Sequence, residues 1–227
     1  VDTDVGQECA VMDVRGKAVY IDDLVGAPGT QEVVLVLSPY AHAKILSVDK
    51  DEALAMSGIH GVVTAADIPG VNDIAPVFED EPVLADGLVQ YVGMPVAAVA
   101  ADTYDQALAA ARSVRVEYEE LTPVLSIEEA WEKEQFTYDP SKIVFGDAEA
   151  AMADAAHRVR GEVRCGGQDH FYLESHIALA VPGEDREMTV YSSTQHPTVA
   201  QDGVSHVLGV PQNDVTIEVR RMDGAFG

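Results

Sequence analysis

The sequence predicts a mixed α+β fold, because short apolar runs typical of strands alternate with helical patterns along most of its 227 residues. The pattern is clearest in residues 32–64 and 95–120, where a strand, a helix and a second strand follow one another. Helical and alternating segments continue after residue 145. With 47% hydrophobic residues, a chain of this length can bury an ordinary core.

The first strand–helix–strand unit starts after Glu32 with the run VVLVLS, which is short and β-branched enough for a buried strand. A helix is predicted in DKDEALAMSG. Asp49 would cap it, Glu52 lies three residues later as in a capping box, and Gly58 would end it in a left-handed turn. The segment IHGVVT is predicted as the second strand of this unit.

The second unit has the strand PVAAVAA, an alanine-rich helix to about Arg112 and the strand VRVEYEE. Thr103 is the predicted helix cap, with Gln106 three residues later. Residues 67–87 join the two units. This stretch is rich in proline and acidic residues without a sustained period, so it predicts a surface connection.

A domain boundary is expected near residues 132–144, where a polar segment with a proline follows the second unit. A helix capped by Asp147 follows, and a last helix runs from Pro197 to just before Gly209. One face of that last helix would carry Ala200, Val204, Val207 and Leu208. The predicted strands are RVRGEVRC, YLESHIALAV, EMTVYSST and VTIEVRR. The last predicted strand, VTIEVRR, is apolar, and such a strand normally has a neighbouring strand that covers it. We therefore expect more chain after residue 227.

Composition narrows the classes of function. The net charge of −25, from 39 acidic and 14 basic residues, would repel nucleic acid and anionic membranes and favours a solvated surface. No apolar stretch is long enough to span a membrane, and the first residues lack signal-peptide order. We therefore expect a cytoplasmic protein without a nucleic-acid or membrane partner.

Metal-ligand and hydrolase motifs are missing from the sequence. Cys9 and Cys165 are its only cysteines, and the seven histidines form no His-Glu-x-x-His pattern. The sequence has neither a phosphate loop nor a Gly-x-Ser-x-Gly elbow. We expect no direct protein ligand to a metal.

The segment CGGQDHFYLESH contains the first group of candidate site residues. Gly166 and Gly167 permit close approach of the main chain, and Gln168 offers an amide donor and acceptor beside them. Taken alone, this pattern favours a bulge or turn between two strands. An acid–base set is conceivable further along the segment, but the alternation there favours surface or packing roles for Asp169, His170 and Glu174.

Two further segments carry polar or glycine-rich patterns. In SSTQHPT, the side chains of Ser193, Thr194 and Gln195 precede Pro197 and are expected to cap the following helix, although such an end also suits an anion. In MDGAFG, the glycines around Phe226 would let main-chain N–H groups face a bound group, or form an ordinary turn.

The order of these segments resembles the large, molybdenum-binding subunit or domain of the xanthine dehydrogenase and aldehyde oxidase family, the molybdenum hydroxylases. The resemblance covers nearly the whole chain. Within the family, the motifs GVND and SSTQHP favour the bacterial xanthine dehydrogenase branch. It implies an α/β hammerhead domain in residues 15–131 and the truncated start of a molybdopterin-binding domain in residues 145–227. Its motifs are RGKAVYIDD, LVLSPYAHAKILSVD, GVVTAADIPGVND, YVGMPVAAVAADTYDQALAAARSVRVEYEELTPVLSIEEA, VFGDAEAAMADAAHRVRGEVRCGGQDHFYLESHIALAVP, SSTQHPT and RRMDGAFG.

The resemblance also implies site residues. Gln168, next to Gly167, would hydrogen-bond the molybdenum centre, and Phe226 with Gly227 would lie against it. The pterin sulfurs hold the metal in this family, so the protein supplies hydrogen bonds and shape. Asp223 stands where the family has glycine, and its carboxylate would repel an anionic cofactor unless it turns away.

In function, the resemblance implies hydroxylation of purines such as hypoxanthine and xanthine at a molybdenum–molybdopterin centre, in its cytosine dinucleotide or simple form. The remaining molybdopterin-binding chain, an iron–sulfur (2Fe-2S) subunit and an FAD subunit would be its partners, in a dimer of heteromers. The family's base and substrate-binding residues come after Phe-Gly, so no catalytic residue is expected here and residues 1–227 alone would be inactive. A non-catalytic assembly module and a plain acidic ligand-binding domain are the alternatives.

Overall fold

The computed structural model describes residues 10–139, 141–172 and 174–222. The chain divides into two compact units, one formed by Val1–Thr122 with Tyr172–Gly227 and the other by Pro123–Phe171. The helices are α1 (Ala10–Asp13), α2 (Asp51–Leu54), α3 (Tyr104–Ser113), α4 (Ile127–Glu132), α5 (Ala148–Asp154) and α6 (Pro197–Leu208). The strands are β1 (Glu32–Leu37), β2 (Ala43–Asp49), β3 (Ile59–Thr64), β4 (Leu88–Val89), β5 (Pro95–Ala101), β6 (Arg115–Glu120), β7 (Ala178–Pro182), β8 (Met188–Ser192) and β9 (Val215–Glu218). These elements confirm the mixed α+β class.

The first sheet of the larger unit has the order β1–β5–β3, with both outer strands antiparallel to β5. Its strands coincide with the predicted runs VVLVLS, PVAAVAA and IHGVVT. The prediction that VVLVLS is buried is wrong, because β1 lies at the edge of the sheet and Val33, Leu35 and Leu37 are exposed. Val34, Val99 and Val62 lie opposite one another across the register and pack against α3, where Ala110 is fully buried. Small alanine side chains let the helix approach the sheet closely.

The helix α3 agrees with its prediction, whereas α2 is present but shorter than predicted. The Thr103 hydroxyl oxygen accepts a hydrogen bond from the Gln106 amide at 3.3 Å, which caps α3. Asp49 ends β2, paired with Arg115 of β6, and the N-cap position belongs to Lys50, but the Asp49 carboxylate still accepts from the first amide of α2, that of Asp51, at 3.0 Å, so its predicted capping role is confirmed in part. Gly58 has the expected positive φ, at +81°.

The second sheet has the order β4–β2–β6 and contains a strand that the sequence did not reveal. Strand β2 reads AKILSVD, in which lysine and serine interrupt the apolar pattern. It pairs with β6 along its whole length. A buried cluster beside it includes Ala43, Val89 and Met94. Long-range pairing, rather than local pattern, therefore stabilises β2.

The connection predicted as a surface segment, residues 67–87, is packed against the rest of its unit. The side chain of Asn72 donates to the Leu84 carbonyl oxygen at 2.7 Å and accepts from the Leu84 amide at 3.0 Å, and Leu84 is buried. The Gly70 amide donates to the carbonyl oxygen of Val207 in α6 at 3.0 Å. Most of its residues are exposed, as predicted for a surface connection, but these contacts tie it to the rest of the unit.

The third sheet has the order β7–β8–β9, and α6 connects the parallel strands β8 and β9. Pro197 at its first turn and Gly209 in the left-handed region after its last residue confirm the predicted ends of α6. Its most buried residues are Gly203 and Ser205, whereas the predicted apolar face is only half-buried. Strand β7 is shorter than the predicted YLESHIALAV, and β9 ends before the predicted RR.

The smaller unit, Pro123–Phe171, contains α4 and α5. The Asp147 carboxylate accepts from the Ala150 amide at 2.9 Å and caps α5, as predicted. The predicted strand RVRGEVRC is wrong. Its residues form no regular element, and the side chains of Val159 and Val163 are 99% and 87% exposed. No described strand pairs with this segment, and a strand needs a partner for its main-chain groups.

Candidate functional site

The segment Gly166–Gln168 is an irregular, exposed part of the smaller unit, after α5. A Cβ atom added at Gly166 or Gly167 would meet no atom within 4 Å, so space surrounds the main chain there. The Gln168 side chain is exposed and makes no hydrogen bond within the described part of the chain. The expected bulge between two strands is wrong, because neither neighbour is a strand.

This geometry suits hydrogen bonding to an external polar group. A free carboxamide offers two N–H donors and one carbonyl acceptor, and it carries no charge at any physiological pH. The two glycines let a large group approach the main chain without meeting a side chain. The segment can therefore orient a ligand oxygen, but it cannot exchange protons with it.

The ionisable residues after Gln168 differ in their exposure. Asp169 and His170 are exposed, and the Asp169 carboxylate accepts from the Phe171 amide at 3.1 Å. Glu174 is buried, at 7% exposure, and one of its oxygens accepts from the Ile21 amide at 3.3 Å. Surface and packing roles are therefore the better interpretation, as the alternation indicated.

The polar side chains before α6 have other partners than expected. The Ser193 hydroxyl accepts from the Ile177 amide at 3.2 Å and lies 3.0 Å from the Ser175 carbonyl oxygen. The helix cap is His196, whose Nδ1 atom accepts from the Val199 amide at 3.3 Å. The N-cap residue is therefore His196 and not one of the three predicted residues, although the Thr194 hydroxyl accepts from the His196 amide at 3.1 Å. Histidine was overlooked because hydroxyls are the commoner caps.

The remaining predicted contacts, Phe226 and Gly227, lie outside the described residues, as does Asp223. Among the described residues, histidine, cysteine and carboxylate side chains form no group of three or more that could hold a metal ion. None of the described helices is long and apolar enough to cross a membrane.

Two family models together match most of the chain. The model described as "Aldehyde oxidase and xanthine dehydrogenase, a/b hammerhead domain" matches residues 15–122. The model described as "Molybdopterin cofactor-binding domain" matches residues 130–227 and includes Gly166–Gln168. The chain belongs to the xanthine dehydrogenase and aldehyde oxidase family of molybdenum hydroxylases. The resemblance and the hammerhead fold are thus confirmed, and molybdopterin is supported as the cofactor.

Curated relatives in this family match over almost the whole chain. Xanthine dehydrogenase/oxidase of Gallus gallus is 43% identical over 213 residues, which is 93% of this chain and 16% of that protein. Xanthine dehydrogenase of Dictyostelium discoideum is 40% identical over 98% of this chain, and aldehyde oxidase 2 of Cavia porcellus is 45% identical over 93%. The chain spans 16% of the length of each.

Solved structures of oxidoreductases have the same fold. Aldehyde oxidoreductase from Desulfovibrio gigas aligns with a TM-score of 0.84 and 28% identity, over 97% of this chain and 26% of that one. Quinoline 2-oxidoreductase from Pseudomonas putida 86 aligns with a TM-score of 0.81 and 30% identity, over 98% and 30% of the two chains.

Proposed function

We propose that this chain forms the hammerhead and the start of the molybdopterin-binding domain of a xanthine dehydrogenase-like enzyme that hydroxylates purines such as hypoxanthine and xanthine. The observation that carries the proposal is the 40–45% identity to xanthine dehydrogenases and an aldehyde oxidase across both matched regions, of which the sequence motifs favour the xanthine dehydrogenases. The motifs GVND and SSTQHP support the bacterial branch of these enzymes. The match to the molybdopterin-binding model does not favour a non-catalytic module.

In this proposal, Gln168 hydrogen-bonds the cofactor, and Gly167 lets the main chain approach it. The open surroundings of Gly167 and the unbonded amide of Gln168 fit such a group. Phe226 and Gly227 are proposed to lie against the same group. When bound, the molybdenum–pterin cofactor supplies the redox centre at which a substrate carbon is hydroxylated. Gln168 orients polar atoms of that centre and transfers no proton, because its amide does not titrate.

The proposed division of the chain places the hammerhead in residues 15–131 and the molybdopterin-binding portion in residues 145–227. Electrons would leave through 2Fe-2S clusters and FAD on partner domains or subunits, in a cytoplasmic dimer of heteromers. A cytosine dinucleotide form of the pterin is compatible with this assignment. The net charge of −25 supports the absence of nucleic-acid and membrane partners.

The test is a Gln168→Ala variant of the full-length enzyme. We expect the wild type to contain molybdenum and pterin and to be reduced by xanthine or hypoxanthine under anaerobic conditions. The variant should lose about tenfold to a hundredfold in kcat/KM or cofactor content, the usual effect of removing a residue that orients a metal centre. Gln135→Ala, at an exposed position of the same unit, is the matched control.

A wild-type enzyme that contains molybdopterin but is reduced only by aldehydes would refute the purine assignment. A wild type without molybdenum or pterin would refute the proposed function as a whole. Equal effects of the two glutamine substitutions would refute the role of Gln168.

A further inference from the structure

An open groove of about 440 Å³ runs along the β1 side of the first sheet, within the larger unit. It is lined by residues 34–37 of β1, by Leu108 and Arg112 of α3, and by Val116 and Tyr118 of β6. Among the described residues that line it, Arg112 alone is charged. The groove is therefore an apolar channel with one cationic group.

The main chain of β1, rather than one of its faces, borders the groove. Successive side chains of a strand point to opposite faces, so a lining of four consecutive residues, 34–37, places the groove along the edge of the strand. β1 is an outer strand of its sheet, and no described strand pairs with its second edge. Alternate N–H and C=O groups of β1 are thus open to a further strand.

The free edge of β1 lacks the charged side chains that commonly keep other strands away. Exposed edge strands are often protected by charges, above all by lysine. β1 reads EVVLVL, and its single charge is at its first residue, Glu32. Leu35 and Leu37 are about half exposed, at 47% and 52%. The strand is therefore suited to pairing with an added apolar strand.

Arg112 indicates one side chain that such a strand would carry. In the described part of the chain, Arg112 has no ion-pair or hydrogen-bond partner, whereas Arg115 pairs with Glu52 at 2.6 Å between Nη2 and Oε2. The chain has 39 acidic and 14 basic residues, so acidic partners for an arginine are plentiful. A guanidinium left unpaired beside an apolar groove is complementary to a carboxylate on the molecule that fills the groove.

We propose that the groove binds an extended segment of the enzyme's own polypeptide from outside residues 1–227, which adds to β1 as a further strand. The segment has apolar side chains at alternate positions and an aspartate or glutamate that pairs with Arg112. The choice of source rests on the proposed function. The chain spans 16% of the length of its curated relatives, so most of such a polypeptide lies outside the matched regions, and its covalent link raises its effective concentration.

A second copy of the chain is a poorer occupant of the groove. Two chains that each carry a net charge of −25 repel one another. Pairing β1 with β1 of a second copy would bring two uncharged strand centres together, with no carboxylate except that of Glu32 at the strand's start to reach Arg112.

The experiment uses the full-length enzyme with the photo-reactive residue p-benzoylphenylalanine in place of Leu37, whose side chain is half exposed. After irradiation, peptide mass spectrometry should find residue 37 joined to a segment of the same polypeptide outside residues 1–227. That segment should contain alternating apolar residues and an aspartate or glutamate. A mixture of isotope-labelled and unlabelled enzyme distinguishes links within one polypeptide from links between copies.

Charge reversal tests the pairing with Arg112. In Arg112→Glu, the yield of the cross-link should fall about tenfold and amide exchange in residues 32–37 should rise about tenfold, because like charges in close contact repel. Arg112→Lys should keep most of the yield, since lysine retains the positive charge. Arg160→Glu, at an exposed arginine of the smaller unit, is the matched control and should change neither quantity.

A cross-link to a second copy or to a different polypeptide would overturn the inference, as would the absence of any cross-link. Equal yields in Arg112→Glu and in the wild type would overturn the pairing with a carboxylate. A wild type that lacks molybdenum and pterin but forms the expected cross-link would refute the proposed function and leave this inference standing.

Discussion

Asp67 is the residue whose charge the structure stabilises most clearly. One of its oxygens accepts from the main-chain amide and the hydroxyl of Thr64, both at 2.8 Å, and from the Lys50 ammonium at 3.0 Å. Chiefly through the hydrogen bond from the Thr64 amide, these contacts lower the pKa of Asp67 from 3.8 to about 2. They close the turn Ala65–Asp67 after β3.

Because the folded pKa lies below the ordinary value, Asp67 stabilises the fold above pH 3.8, and this contribution is lost as the pH falls through about 2. Asp67→Asn should therefore lower the thermal midpoint at pH 7, and its difference from the wild type should narrow as the pH falls from 5 to about 3. Calorimetry at several pH values measures this difference. Asp139→Asn, at an exposed carboxylate, is the control, and a difference that is independent of pH would contradict the assignment.

At the same scale, local signals predicted some residue roles well and others badly. Thr103 and Asp147 could be predicted as caps because a capping side chain and the main-chain amide that it accepts from are only three residues apart. Ser193 failed as a cap because its hydroxyl is engaged by Ile177, 16 residues away. Glu174 could not be paired with Ile21 from the sequence, since nothing local encodes a contact over 153 positions.

Among the elements, the end of α6 is stabilised by a loop rather than by its own residues alone. The amides of Gly70 and Val71 donate to the carbonyl oxygens of Val207 and His206 at 3.0 and 2.9 Å. Both carbonyl groups belong to the last turn of α6, where a helix lacks amides of its own to pair them, and that of His206 also accepts from the Gly209 amide at 3.2 Å. A Cβ atom on Gly70 would overlap the His206 carbonyl oxygen, so the loop can lie here only because residue 70 is glycine.

Gly70→Ala should destabilise the fold by roughly 1–3 kcal/mol, since main-chain atoms cannot rotate away as side chains do. Urea denaturation measures the change. Gly61→Ala in β3 is the control, because a Cβ atom there meets nothing within 4 Å, and its effect should stay within about 0.5 kcal/mol. Equal stability of the two variants would show that the loop does not rest on α6.

Strands were predictable where their own residues favour extended structure, as in β1 and β5, which carry apolar runs, and in β3, which is rich in β-branched residues. Strand β2 was not predicted, because it is stabilised by pairing with β6, some 70 residues later in the sequence. The opposite error occurred at residues 158–165, where alternation is present but a partner strand is missing from the described residues. Pattern therefore predicts which segments are able to form strands, and pairing decides which of them do.

On the scale of the whole molecule, the compact units do not follow the family matches. The larger unit combines the matched hammerhead region with residues 172–227 of the molybdopterin-binding match, while residues 123–171 form the smaller one. The sequence predicted a boundary from composition, near residues 132–144, but it could not show that later residues return to pack with the first part. Gln168 was recognisable from its two glycines and the family resemblance, whereas the hydrogen bond between Ile21 and Glu174 could be found only from the fold.

This organisation predicts how the 227-residue chain responds to trypsin under native conditions. The first cuts should fall in residues 123–171, at exposed sites such as Arg158 and Arg160, because proteases attack irregular exposed segments. The two products should still elute together from a sizing column, since hydrogen bonds from Gly70 to Val207 and from Ile21 to Glu174 hold the ends of the larger unit together. They should separate only in denaturant. Arg115, in β6, serves as the internal control and should be cut late, so early cleavage there, or products that separate without denaturant, would contradict a single larger unit built from both ends of the chain.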